Sequence, residues 1–132
     1  MKTKTEIINE TVAYYSENPL NKRSKNPLSG CHYSKQNKMC AVGRCLIDPD
    51  KIEKETNIAL VNIKIESTSV KDLEKLFKNL DELFKEEYRG HDSDFWQALQ
   101  NLHDYDYHWT DEGLSDRGKT EVQFLLDMYK GQ

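Results

Sequence analysis

The sequence predicts a mostly α-helical fold of about four main helices, with a long N-terminal loop and a small β element, in a single small globular domain spanning residues 1–132. Three observations carry this. Apolar residues recur at helical spacing over four stretches, each opened by a Ser or Thr able to cap a helix. The 132 residues suit one domain with one core. Only one short run alternates as a strand would.

Thr3 or Thr5 can cap the first helix, which places Ile8, Val12 and Tyr15 on one face. It ends before Asn18-Pro19, because the residue preceding proline resists the helical well. Residues 18–39 show no period and hold two prolines, Gly30 and the basic side chains Lys22, Arg23, Lys25, Lys35 and Lys38. A loop of that length inside a small domain is functional or pinned. Cys40 to Leu46 is a short apolar element of helical type, and Asp48-Pro49 ends it or opens the next turn. Gly43, inside it, marks a close approach of a neighbouring backbone.

Ile58 to Ile65 alternates and is compatible with a strand or a helix. Ser69 can cap a helix carrying Leu73, Leu76, Phe77, Leu80, Leu83, Phe84 and Tyr88, stopped near Gly90. Ser93 opens a third helix with Trp96, Leu99, Leu102 and His103 near one face. Thr110 to Gly113 is a loop. Ser115 then caps a last helix over Val122, Leu125, Leu126 and Tyr129.

The net charge of −4 is unevenly spread. Residues 1–45 carry eight Lys/Arg against three acids, and residues 46–132 carry eleven against twenty. The acidic part repels a polyanion and suits a partner with a basic surface. No run approaches the ~18 apolar residues of a membrane helix, and no apolar signal region follows Met1. A cytoplasmic protein is expected.

All three cysteines fall within residues 31–45, spaced C-x8-C-x4-C. Structural zinc takes four Cys or His ligands, commonly from CxxC pairs that this chain lacks. On a helix Cys40 and Cys45 would be rotated by about 140°, too far apart for one ion. The set able to converge is Cys31, Cys40 and His103, and zinc there would pin the loop. Two alternatives stay open. Cys40 at a helix start is a candidate nucleophile with His103 as base, although the neighbouring Asp104, about 100° round the helix, is badly placed to orient that ring. Equally, Cys40 and Cys45 can be small core hydrophobes.

The run from His103 to Glu112 interleaves acids with aromatics. Asp104, Tyr105, Asp106, Tyr107, Trp109 and Asp111 form a candidate partner-binding surface, since Tyr and Trp give large, stiff contact area. The competing role for Tyr105 and Trp109 is to close the core. Direct nucleic-acid binding is disfavoured by these carboxylates. The basic loop offers only Tyr33 for stacking, and the glycines are scattered singly.

Gly30-Cys31-His32-Tyr33, Met39-Cys40-Ala41-Val42-Gly43 and Leu99-Gln100-Asn101-Leu102-His103-Asp104 form a series that resembles small accessory proteins of phages and prophages. Those proteins show a C-x-Y step, a K-C-A-[VI]-G element and an LQ-x-[IL]-H-D helix followed by Trp. The likeness spans roughly residues 30–110; Arg44, between Gly43 and Cys45, departs from one common form. It implies a host-takeover or anti-defence factor that binds and inhibits a host protein in the host cytoplasm, for example a nucleic-acid-guided nuclease. The alternatives are a small Cys- or metal-dependent enzyme, or a sponge for a nucleotide signal.

Overall fold

The computed structural model describes residues 1–23, 25–26, 30–31, 38–62, 70, 73–74, 77 and 79–132. Helix α1 (Lys4–Ser16) starts where Thr3 accepts the Glu6 N–H through its side chain. It buries Ile7, Ile8, Thr11 and Tyr15. Thr11 sits dry among them because its hydroxyl donates back to the Ile7 carbonyl at 2.7 Å. Asn18 then caps a single turn, α2 (Pro19–Lys22), with Pro19 in the first position, where its missing N–H costs nothing.

With α2, two further elements lie within what the sequence predicts as plain loop. Strands β1 (Lys25–Asn26) and β2 (Gly30–Cys31) pair antiparallel, and Arg23 forms a parallel bridge with Met39. The Cys40 to Leu46 segment is a tight 3₁₀ turn over Gly43–Cys45, and its residues Cys40, Ala41, Val42, Cys45 and Leu46 are all buried.

Helix α3 (Pro49–Asn62) follows, opened by the Asp48 carboxylate accepting from the Lys51 N–H at 3.1 Å. Ile58 to Asn62 is therefore helical, not a strand; residues 63–65 lie outside the described residues. The helix expected from Ser69 to Tyr88 is not continuous. Val70 and the Leu73-Glu74 pair are helical, but the chain then makes two 3₁₀ turns, Leu80–Leu83 and Glu86–Tyr88. Between them Phe84 is extended and bridges Leu46, and Ile47 and Lys85 add backbone bonds to Leu83 and Cys45. That pairing, with Phe84 stacked on Trp96 at 4.3 Å, outweighs the helical spacing of the apolar residues. Ser69 itself lies outside the described residues.

Helix α4 (Ser93–Asp104) is capped by Asp92, one residue earlier than Ser93. It buries Phe95, Trp96, Leu99, Gln100, Leu102 and His103. A 3₁₀ turn, Asp106–His108, leads into the hairpin of β3 (Trp109–Thr110) and β4 (Gly113–Leu114), where a loop was expected. Gly113 has φ 141°, which favours glycine. Helix α5 (Asp116–Met128) closes the fold, capped by Ser115.

One buried cluster joins α1, the 40–46 segment, Phe84, α4, Trp109 and α5 around Trp96. The fold is mostly α with short antiparallel pairs. Among the described residues, no helix is long and apolar enough to cross a membrane.

Candidate functional site

The end of α4 gathers most of the chemistry singled out in the sequence. Gln100 is the hub. Its side-chain oxygen accepts from the Val42 N–H at 3.1 Å and its nitrogen donates to Asp104 at 2.8 Å. The same Asp104 oxygen lies 2.8 Å from His103 Nδ1. Asp104 thus bonds the ring beside it, contrary to the helical-rotation argument, although the two are the last residues of α4. The His103 ring is buried and meets Tyr15 edge-on at 4.9 Å, while the Tyr15 hydroxyl donates to the Met39 carbonyl at 2.5 Å.

Cys40 lies in the same interior at 1% exposure. Burial pushes its thiol far above the ordinary cysteine range, despite an N–H from Gly43 to its sulfur at 3.2 Å, and Asp104 pushes the same way. Burial also raises Cys45, to about 12. Both are protonated at neutral pH, so Cys40 is poorly suited to act as a nucleophile. Among the described residues, no group of three His, Cys, Asp or Glu is arranged to hold a metal ion. The Cys31 side chain, the third member of the predicted zinc set, lies outside the described residues.

Arg23 anchors the described start of the loop. Its guanidinium donates to the His103 carbonyl at 2.8 and 2.6 Å, to the Asp104 carbonyl at 3.2 Å and to the Asp106 carboxylate at 3.3 Å. It also lies over the Trp109 ring. A cation on the last carbonyls of a helix satisfies orphan acceptors and opposes the helix dipole. Arg23→Ala should speed thermolysin cleavage within residues 18–39 by about fivefold or more, because each charged hydrogen bond contributes about 1–3 kcal/mol to holding the segment. Arg23→Lys should rescue only part of this, lacking the fork. Equal cleavage in all three proteins would mean that another contact holds the loop.

The six residues predicted to meet a partner divide into two groups. Tyr105 and Tyr107 are 46% and 45% exposed, and Asp106 and Asp111 are exposed as well. Trp109 is 7% exposed, with its indole N–H donating to the Leu102 carbonyl at 2.9 Å, and Asp104 is tied into the Gln100 network. Trp109 still lines a groove of about 420 Å³ between α2 and the β3–β4 hairpin. Leu20 gives that groove further apolar surface; its charges are Arg23 and Lys38 against Asp106 and Asp111.

Beside the groove, Tyr105 and Tyr107 stack with centroids 5.2 Å apart and planes 8° from parallel. His108 meets both in T-shaped contact, and the Arg117 guanidinium lies 3.8 Å from the Tyr107 centroid. Neither Arg23 nor Arg117 stands out in the sequence, where each is one basic residue in a polar stretch. No protein-family model matches the chain, and no curated protein or solved structure matches it.

Proposed function

We propose that this chain is a binding protein, a phage-encoded host-takeover or anti-defence factor that inhibits a host protein with a basic surface, and that it docks through the Tyr105 to Glu112 face. The observation that carries the reading is the pair of stacked, half-exposed tyrosines set among the exposed carboxylates of Asp106, Asp111 and Glu112. Stiff aromatic area with two rotatable torsions gives contact at low entropic cost, and surrounding acids steer a basic partner. The groove lined by Trp109 and Leu20 extends the same face. A nucleic-acid-guided nuclease, whose channel is positively charged, has the complementary surface.

The test is recovery of the partner from host lysate, followed by association kinetics across salt. Binding should weaken as salt rises, since attraction is screened beyond about 10 Å at 0.1 M. Asp111→Lys with Glu112→Lys, at the exposed hairpin tip, should slow association about tenfold and change dissociation little. Tight binding to naked DNA or RNA, improved by the same reversals, would transfer the role to the basic loop and sink this reading.

A further inference from the structure

We infer that the outer face of Tyr105 is a seat for an arginine side chain of the partner, its guanidinium stacked on the ring. The inference rests on the proposed partner-binding role of this face and names the group that anchors there.

The order of the stack is fixed by distance. Tyrosine centroids 5.2 Å apart leave no room for a planar group, which needs about 3.5 Å on each side. Arg117, 3.8 Å from the Tyr107 centroid, therefore lies on the side of Tyr107 away from Tyr105. His108 stands steeply tilted to both rings, 5.7 Å from Tyr105 and 4.7 Å from Tyr107; being nearer Tyr107, it does not lie over the far face of Tyr105. What remains is the second face of Tyr105, on a side chain 46% exposed with no cation over it among the described residues.

Three points choose the occupant. Exposed Asp111, Glu112 and Asp116 make the surroundings hostile to a phosphate and favourable to a cation. A guanidinium is flat, delocalised and weakly hydrated, so it stacks on an aromatic face while bonding a carboxylate; an ammonium does only the second well. Arg117 on Tyr107 is the same pairing made within the chain. The chain's own four arginines are all engaged already: Arg23 on the α4 carbonyls and the Asp106 carboxylate, Arg44 on Glu10, Arg89 on the Phe84 carbonyl and Arg117 on Tyr107. A partner must bring this one.

The probe is a capped peptide of three Gly-Arg repeats, with matched peptides carrying lysine or the neutral isostere citrulline, titrated against the full chain and followed by tyrosine ring signals in NMR. The Tyr105 ring should shift with the arginine peptide, about threefold less with lysine and not with citrulline. Tyr105→Leu should abolish the response, and Asp111→Lys with Glu112→Lys should weaken it, with the amide spectrum outside residues 104–117 unchanged. Equal responses to arginine and citrulline, or shifts centred on Trp109, would overturn the inference. Partner capture separates the two readings. If Tyr105→Leu abolishes capture while the arginine peptide leaves Tyr105 unmoved, the seat falls and the face stands. If it changes neither, both fall.

Discussion

Gly118→Ala should lower stability by about 3 kcal/mol, a drop in melting temperature of roughly 10 °C. A Cβ at that position would stand 2.1 Å from the His108 carbonyl oxygen and 2.9 Å from both its carbonyl carbon and Leu114 Cδ2. Two of those three atoms are backbone, and that backbone is held. The His108 carbonyl accepts the Ser115 N–H at 2.8 Å, and the His108 ring bonds the Leu102 carbonyl at 3.1 Å. Alanine would gain about 1 kcal/mol over glycine from helix propensity alone. Overpacking against fixed backbone exceeds that gain, so the sign is destabilising. Urea unfolding should show a lower midpoint at unchanged slope, while Lys119→Ala, on the exposed side, should move it little. An unchanged Gly118→Ala midpoint would mean that α5 does not rest on the His108 turn.

How much of this was legible in the sequence depended on whether local signals decided the outcome. Helices α1, α4 and α5 follow from a capping side chain and a 3.6-residue apolar period, both local. The run after Ile58 was ambiguous because a short apolar stretch fits both periods; the start made by Asp48 and Pro49 upstream settles Ile58 to Asn62 as helix. At Phe84 the helical period misleads for a non-local reason. Its backbone pairs with Leu46 and its ring stacks on Trp96, partners that no window around position 84 contains. Gly43, where the sequence predicts a close approach, is buried and bonded to Cys40; a separate approach that excludes a side chain falls at Gly118, which no local signal marks.

The site shows the same division. The run of acids and aromatics from Asp104 to Asp111 was visible, because composition marks it as contact chemistry. Which of its members face outward was not, since Trp109 and Tyr107 look alike until the hairpin buries one of them. The described anchor of the loop escaped notice because Arg23 binds backbone carbonyls, and carbonyls have no sequence signature.

Glu10→Ala should destabilise the fold by about 2 kcal/mol, below what removing one partner of a fully buried charge pair costs, because Glu10 is itself only half-buried. Glu10 accepts from Lys2, from the Tyr88 hydroxyl and from Arg44, the last at 2.6 Å. Arg44 is largely buried, lying over the rings of Tyr14 and Tyr88, so it cannot turn to water when its carboxylate is removed. Burial alone would raise the Glu10 carboxyl, but the bonds from Lys2, Tyr88 and Arg44 outweigh it and hold the group at about 2, against an ordinary 4.5. Because the folded value is depressed, the unfolded chain binds the proton first as pH falls. The stabilisation is therefore complete above about 4.5 and is lost as pH drops through about 2. Glu10→Gln keeps the shape without the charge and should be less stable than the natural protein at pH 7. Its urea midpoint should fall less steeply between pH 4.5 and 2.5, so that the two curves approach each other in acid. Parallel curves across that interval would show that the acid sensitivity lies in other carboxylates and that Glu10 is not the ion holding Arg44.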